Sequence, residues 1–567
     1  MTEFRWSGWG YADKSYSLDH RPDAWNFLRD ALDLRGDESF PTCNFDSIRL
    51  RAPRMNSAQL NALRQIVPET KTDTRTRVTH AFGKSYRDLI RLRRGEIPNP
   101  PDAVVYPASE DQVARVIAFC AQNDFTLIPF GGGSSVVGGI EPRDERVTIT
   151  LDLARLNRVI SLDEISQTAT IEAGVSGPDL ERELNARGFT LGHFPQSFEF
   201  STLGGWIATR GAGMLSTRYG KIEALTQSVR VATPRGIVQT REVPATAAGS
   251  SLLQLLVGSE GTLGVITRAT MRVRQLPKAK DYRALLFKSL SDGVAAMRAM
   301  LQNDTRSVPA TVRLSDEDET CSFFAMREES RGWKALIEQI GLNFIATRGY
   351  SFDRGALMIL GFEDDASGAQ AGQAICKSHG AFDLGRGVAE AWLRDRYETP
   401  YLRDVLLDHG ILVDTLETAT TWSNLDRLHK TLAAVIADAA AQAGSRALVM
   451  THVSHCYRDG ASLYVTFLAR MARGKETAQW ETIKRAATDC IVENGGTLSH
   501  HHGVGYEHAA WMNRENGAVG MDALRAVKRA LDPNDVMNPG KWLVAEPSSV
   551  DAAIEYQERF WNLPKGH

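Results

Sequence analysis

Thr126–Gly139 reads TLIPFGGGSSVVGG, a short strand-like run that breaks into five glycines and two serines within nine residues. Glycines without side chains let successive backbone N–H groups converge on an anion, and the hydroxyls of Ser134 and Ser135 add donors. A phosphate or pyrophosphate suits such a loop; a plain glycine-rich turn has the same composition. It is not a P-loop, because no Gly-Lys-Ser/Thr follows. It is not a clean G-x-G-x-x-G either, since Val136 stands where the third glycine belongs.

The flanks are mixed helix and strand. AVVYP reads as a strand and SEDQVARVIAFCAQN as a helix, with Ser109 and Gln112 spaced as a capping box. SGPDLERELNARG reads as a helix opened by Ser176, with Pro178 in its first turn and Gly188 at its end. Upstream, prolines 98, 100 and 101 mark a boundary. Before it lie amphipathic helix candidates such as SAQLNALRQIV and the basic stretch RDLIRLRRGE (Arg87–Glu96). The latter reads either as a solvated helix face or as a contact for anionic lipid or substrate. Beyond about residue 278, helical runs (NLDRLHKTLAAVIADAAAQAG) alternate with strands (ALMILGF, SLYVTFLA). The expected architecture is α+β: a helical region over 1–98, a nucleotide-binding part over 99–278, a substrate or cap part over 279–510, and a helical segment over 511–567.

The chain has 567 residues, too many for one core. Its composition is ordinary for a globular protein, 43% hydrophobic and 24% charged. A net charge of -3 gives no electrostatic case for nucleic acid. The N-terminus lacks the apolar core of a signal peptide, PKGH is not a peroxisomal SKL-type signal, and six scattered cysteines without C-x-x-C read as free thiols. A cytoplasmic location is the expectation.

Three later stretches bear on the loop: PQSFEFSTLGGWIATRGAGM (Pro195–Met214), VGSEGTLGVIT (Val257–Thr267) and LDPNDVMNPGK (Leu531–Lys541). With these, in this order, the sequence resembles the FAD-binding family typified by vanillyl-alcohol oxidase (the PCMH type). The resemblance implies FAD between two α+β subdomains, its pyrophosphate on the loop. The cofactor residues it implies are Pro129, Phe130, Gly131, Gly132, Gly133, Ser134 and Ser135. To these it adds Gln196, Ser197, Phe198, Glu199, Phe200, Ser201, Thr202, Thr209, Arg210, Gly211 and Ala212, and then Glu260, Gly261, Thr262, Leu263, Gly264, Val265 and Ile266. Neither the loop nor its flanks carries a tethering His or Cys, so the expected FAD is non-covalent.

SHHHGVG (Ser499–Gly505) could serve a metal, acid/base chemistry or structure alone. Hydroxy-acid dehydrogenases of this superfamily carry GHxGDGNLH and EHGxG, whose histidines and Glu hold a metal. Here a histidine stands in place of that glutamate, and Tyr464 stands near the place of a ligating histidine. A hard carboxylate is lost and a phenol gained, which suits acid/base chemistry. His452 and His455 form H-x-x-H, but on a strand they point to opposite faces. No metal is expected.

SHHHGVG, the GASLY tyrosine, FEFSTLGGW and RWSGWG (Arg5–Gly10) together resemble the alkylglycerone-phosphate synthases. That family replaces the acyl chain of acyl-dihydroxyacetone phosphate by a fatty alcohol, with no net redox change, through a flavin N5–substrate adduct. The resemblance implies Tyr464 as proton donor and acceptor. A phenol titrates near ~10 and needs cationic or histidine neighbours to act at neutral pH; His500, His501 and His502 are the candidates, with His501 and His502 favoured. TPYLRDVLLDHGILVDTLETATTW carries the family's phosphate-binding arginine over to Arg403, and ATVRLSD carries another over to Arg313. Each arginine reads alternatively as a surface ion pair. The rival readings are a flavin oxidoreductase of a hydroxy acid or alcohol, and a flavin-binding protein without turnover. Lipid substrates, peripheral membrane association and a homodimer complete the expectations.

Overall fold

The computed structural model describes residues 4–18, 21–143, 145–303, 308–326 and 343–543. The expected C-terminal segment therefore extends beyond the described residues from 544 onward.

The loop grows from a four-stranded sheet. Its order is Thr70–Lys71, Ala103–Val105, Thr148–Asp152, Thr126–Phe130, with the last three parallel. Such a sheet is covered on both faces, and its strands are accordingly buried along almost their whole length, threonines included. Helix Glu110–Gln122 packs on it, capped by Ser109 Oγ accepting from Gln112 N. The capping box expected here is only half formed: the Gln112 side chain accepts from Ala108 N, one residue before the cap. The region before 98 is not purely helical, because Thr70–Lys71 supplies an edge strand.

A second, antiparallel sheet of five strands runs Val159–Asp163, Thr168–Glu172, Val265–Arg272, Thr226–Thr233, Gly236–Gln239. A third, of seven antiparallel strands, runs Phe382–Gly385, Lys280–Phe287, Ala356–Glu363, Thr311–Ser315, Ala447–Ser454, Gly460–Arg470, Ile411–Thr421. Helices Trp422–Gln442 and Glu476–Glu493 cover one face of it. The chain then returns to its beginning. Leu127 N donates to Val536 O and Asn538 N to Leu127 O, so the C-terminal stretch extends the first sheet.

RDLIRLRRGE departs from both of its readings. Helix Tyr86–Arg94 is buried. Arg91 pairs with Glu141 at 2.6 Å and Arg93 with Asp408 at 2.5 Å. Buried guanidinium groups need such partners, since an unpaired charge in the interior costs several kcal/mol. Arg87, Arg91 and Arg93 are thus buried, while Arg94, paired with Glu476, keeps a partly exposed side chain.

Candidate active site

The first two sheets and the seven-stranded sheet enclose a cavity of about 990 Å³. One end is the glycine loop. Among the described residues no backbone N–H from Gly131 to Ser135 donates to a protein acceptor. Five consecutive open donors on a cavity wall fit an anion such as the pyrophosphate of FAD. The loop also lies hard against the neighbouring turn: a Cβ on Gly132 would stand 1.9 Å from Phe200 O. Pro129 to Ser135 line the cavity, with Gln196, Ser197, Ser201, Thr202, Thr209, Gly211, Ala212, Glu260, Gly261, Gly264 and Ile266.

Seven residues expected beside the cofactor do not line the cavity. The 195–201 turn carries Phe198, Glu199 and Phe200 away from it. Phe198 stacks on Tyr397 at 5.6 Å, Phe200 meets Trp9 edge-on at 5.1 Å, and Glu199 pairs with Lys14 at 2.5 Å. Arg210 reaches back to Gln254 O (2.7 Å) and Val257 O (3.2 Å). Thr262 donates to Ser259 O, while Leu263 and Val265 sit in the core. On the strand beginning at Val265, alternation gives only Ile266 to the cavity. Glu260 lines it but spends its carboxylate on Val504 N and Gly505 N, both at 2.8 Å. Burial pushes that carboxyl up to about 7.

The other end holds the histidines, and here sequence reasoning missed a carboxylate. Glu417, on strand Ile411–Thr421, accepts from Ser499 Oγ (2.7 Å), His500 N (2.5 Å), His501 N (3.1 Å) and His502 N (2.8 Å). Burial alone would push this carboxyl up. The surrounding histidines, at the low pH where they carry protons, and then the backbone donors hold it well below 4.5 instead. Glu417, His500 and His501 offer atoms within 4.8 Å of one another. Four donors from Ser499–His502 already sit on the Glu417 carboxylate, three on Oε1 and one on Oε2, and tie the loop to the strand. The sequence alone offered little signal, since the strand ILVDTLETATT also holds Asp414 and four threonines; its register with Tyr464 shows only in the sheet.

His501 and His502 line the cavity; His500 does not. His500 stands behind them, bonded to Tyr457 Oη (2.6 Å) and His501 Nδ1 (2.9 Å). Tyr464 lines the cavity, stacks on His452 at 4.8 Å, and lies 5.5 Å from the His502 ring and 6.0 Å from the His501 ring. The histidines were expected to make the phenol more acidic. The structure reverses that: burial, then the Glu417 charge, push the phenol up to about 12. Burial also depresses His501 well below 6.5 and His500 to about 3, so these rings are neutral at pH 7 and offer the phenol no positive charge.

Both arginines are ion-paired, yet both line the cavity. Arg313 Nη2 donates to Glu319 (3.0 Å) and reaches His452 Nδ1 (3.2 Å). Arg403 is buried, with Nη1 on Lys84 O (2.8 Å) and Nη2 on Asp414 (3.2 Å). His455 does not oppose His452. Its strand ends at Ser454, its own φ is 47°, and both rings line the cavity.

Residues 101–241 match the family described as FAD binding domain, and residues 276–542 match FAD linked oxidases, C-terminal domain. An alkyldihydroxyacetonephosphate synthase of Dictyostelium discoideum is 35% identical over 573 residues, covering 95% of this chain and 93% of that protein. A solved alkyldihydroxyacetonephosphate synthase superposes with a TM-score of 0.80 at 32% identity, covering 94% of this chain and 98% of that one. p-Cresol methylhydroxylase, at 14% identity and a TM-score of 0.67 over 88% of this chain, shares the fold alone. An open-donor cradle for FAD, and relatedness that runs almost end to end, lead to one conclusion: this chain is an FAD-dependent enzyme and belongs to the alkyldihydroxyacetonephosphate synthase family.

Proposed function

We propose that the enzyme exchanges the acyl chain of acyl-dihydroxyacetone phosphate for a long-chain alcohol, without net oxidation. The observation that carries this is Tyr464 stacked on His452 beside His501 and His502, in a cavity that also presents Arg313 and Arg403. Bound FAD would supply the temporary covalent hold on the three-carbon unit between departure of the carboxylate and arrival of the alcohol.

The chain's own groups do the rest. Arg403 faces the substrate phosphate, for which a fixed guanidinium is well suited. Arg313 polarises the ketone, acidifying the adjacent C–H. Tyr464 takes that proton, and the neutral imidazoles beside it drain its own, since a phenol pushed up to about 12 is protonated at pH 7. Phe323, Trp392, Leu402, Val413 and Met450 line an apolar stretch of the same cavity that suits an alkyl chain.

The test is anaerobic incubation of FAD-loaded protein with acyl-dihydroxyacetone phosphate and a long-chain alcohol. Ether product without lasting flavin bleaching is expected. No ether, together with bleaching by a hydroxy acid, would replace this reading with the oxidoreductase. Acid precipitation should release the FAD, as a non-covalent cofactor. We extend the proposal to a cytoplasmic homodimer that visits membranes peripherally, tested by fractionation, light scattering and co-sedimentation with vesicles.

A further inference from the structure

His455 has no part in the chemistry derived so far, yet the fold takes trouble to place it. A non-glycine residue at φ 47° is strained and persists only when its surroundings hold it. Two contacts from residues 216 and 217 do so. His455 Nδ1 is hydrogen-bonded to Ser216 Oγ at 2.6 Å, and Cys456 N donates to Thr217 Oγ1 at 3.1 Å. Nε2 has no protein partner among the described residues, and the ring lines the cavity. The His455 ring lies 5.0 Å from that of His501, which lies 6.0 Å from that of Tyr464. His501 thus neighbours both groups.

The exchange, if the function proposed above holds, has two proton problems. One is the C–H proton met by Tyr464. The other is the hydroxyl proton of the incoming alcohol. As the alcohol oxygen forms its C–O bond at the carbon the carboxylate has left, its O–H bond breaks and a base must accept the proton. That proton finally leaves with the departed fatty acid, so the balance closes without oxidant or reductant.

We propose that His455 Nε2 is this base, with Ser216 as the positioning residue that accepts from Nδ1–H and keeps the Nε2 lone pair open to the cavity. A second group avoids resetting Tyr464 between the two halves of each turnover. Burial, and then the nearby Lys221 charge, disfavour a lasting imidazolium, so the proton is passed on at once.

The test uses FAD-loaded wild type, His455→Gln and Ser216→Ala, each checked for unchanged bound flavin. Two quantities are measured: exchange of the acyl group for labelled fatty acid, which involves no alcohol, and formation of ether. His455→Gln should lose ether formation about a hundredfold, the usual contribution of a general base, and keep acyl exchange. Ser216→Ala should show a smaller loss of the same kind. An alcohol bearing fluorine beside the carbinol carbon, being more acidic, should recover much of the loss. Wild-type ether rates in His455→Gln overturn the proposal. So do equal losses in both halves with no relief from the fluorinated alcohol, which mark a structural role. Absence of ether with the wild type itself would be a failure of the function and not of His455 alone.

Discussion

Replacing Glu417 by glutamine keeps the size of the side chain and removes its charge. The amide oxygen can retain the three donors now on Oε1: Ser499 Oγ, His501 N and His502 N. The amide nitrogen then replaces Oε2 and faces His500 N–H, donor against donor. A hydrogen bond to a charged acceptor is worth ~1.5–3 kcal/mol, and the other three bonds each weaken when the charge goes. Relief of carboxylate burial offsets part of this, leaving about 3 kcal/mol of local destabilisation. The loss is confined to one loop, so a global melting curve is a blunt assay for it. Hydrogen exchange of the loop amides reads the local opening equilibrium directly. About 3 kcal/mol corresponds to roughly a hundredfold faster exchange over Ser499–Gly505 in Glu417→Gln, with distant strands unchanged. Exchange within about twofold of wild type would refute the argument that Glu417 holds the loop.

Tyr464→Phe should retain bound FAD and lose ether formation about a hundredfold or more; retention of over about a tenth of the rate would remove Tyr464 from the chemistry. Gly132→Ala should lose most of its FAD, read as the flavin-to-protein absorbance ratio, because its Cβ meets a backbone carbonyl that cannot swing aside. Burial holds His193, His500 and His508 at about 3 against 6.5 when exposed. Unfolding below pH 6.5 therefore takes up protons, so stability is full above 6.5 and drains away as pH falls toward 3. Thermal midpoints should fall steadily from pH 7 to 5, and His508→Asn should flatten the slope; a flat wild-type profile would contradict it.

The cradle was legible because its requirements are local. Glycine spacing, two serines and the flanking strand lie within Thr126–Gly139. The start of the helix opened by Ser176 was legible for the same reason, cap and Pro178 lying together, though the helix ends at Asn185, before the expected Gly188. What escaped depends on partners far along the chain. Arg91 looks solvated until Glu141, 50 residues away, is brought to it. The order of the seven-stranded sheet is a set of such distant pairings, which periodicity alone does not encode. His455 was misplaced because strand alternation was carried one residue past the end of the strand, into a backbone conformation that side-chain-bearing residues seldom adopt. The same distance hid Glu417, 82 residues from the serine it holds.

The return of the chain to its first sheet has a temporal consequence. Asn538 Nδ2 donates to Gly139 O, 399 residues earlier, and its backbone pairs with Leu127. At ~5–20 residues per second, the ribosome delivers that partner roughly 20–80 s after the cradle has emerged. Throughout this wait, strand Thr126–Phe130 carries an unfilled edge of apolar residues, open to stray pairing with other nascent chains. Assembly of the nucleotide cradle is thus among the last events of biosynthesis, and a ribosome stalled shortly before residue 536 would release a chain unable to close it.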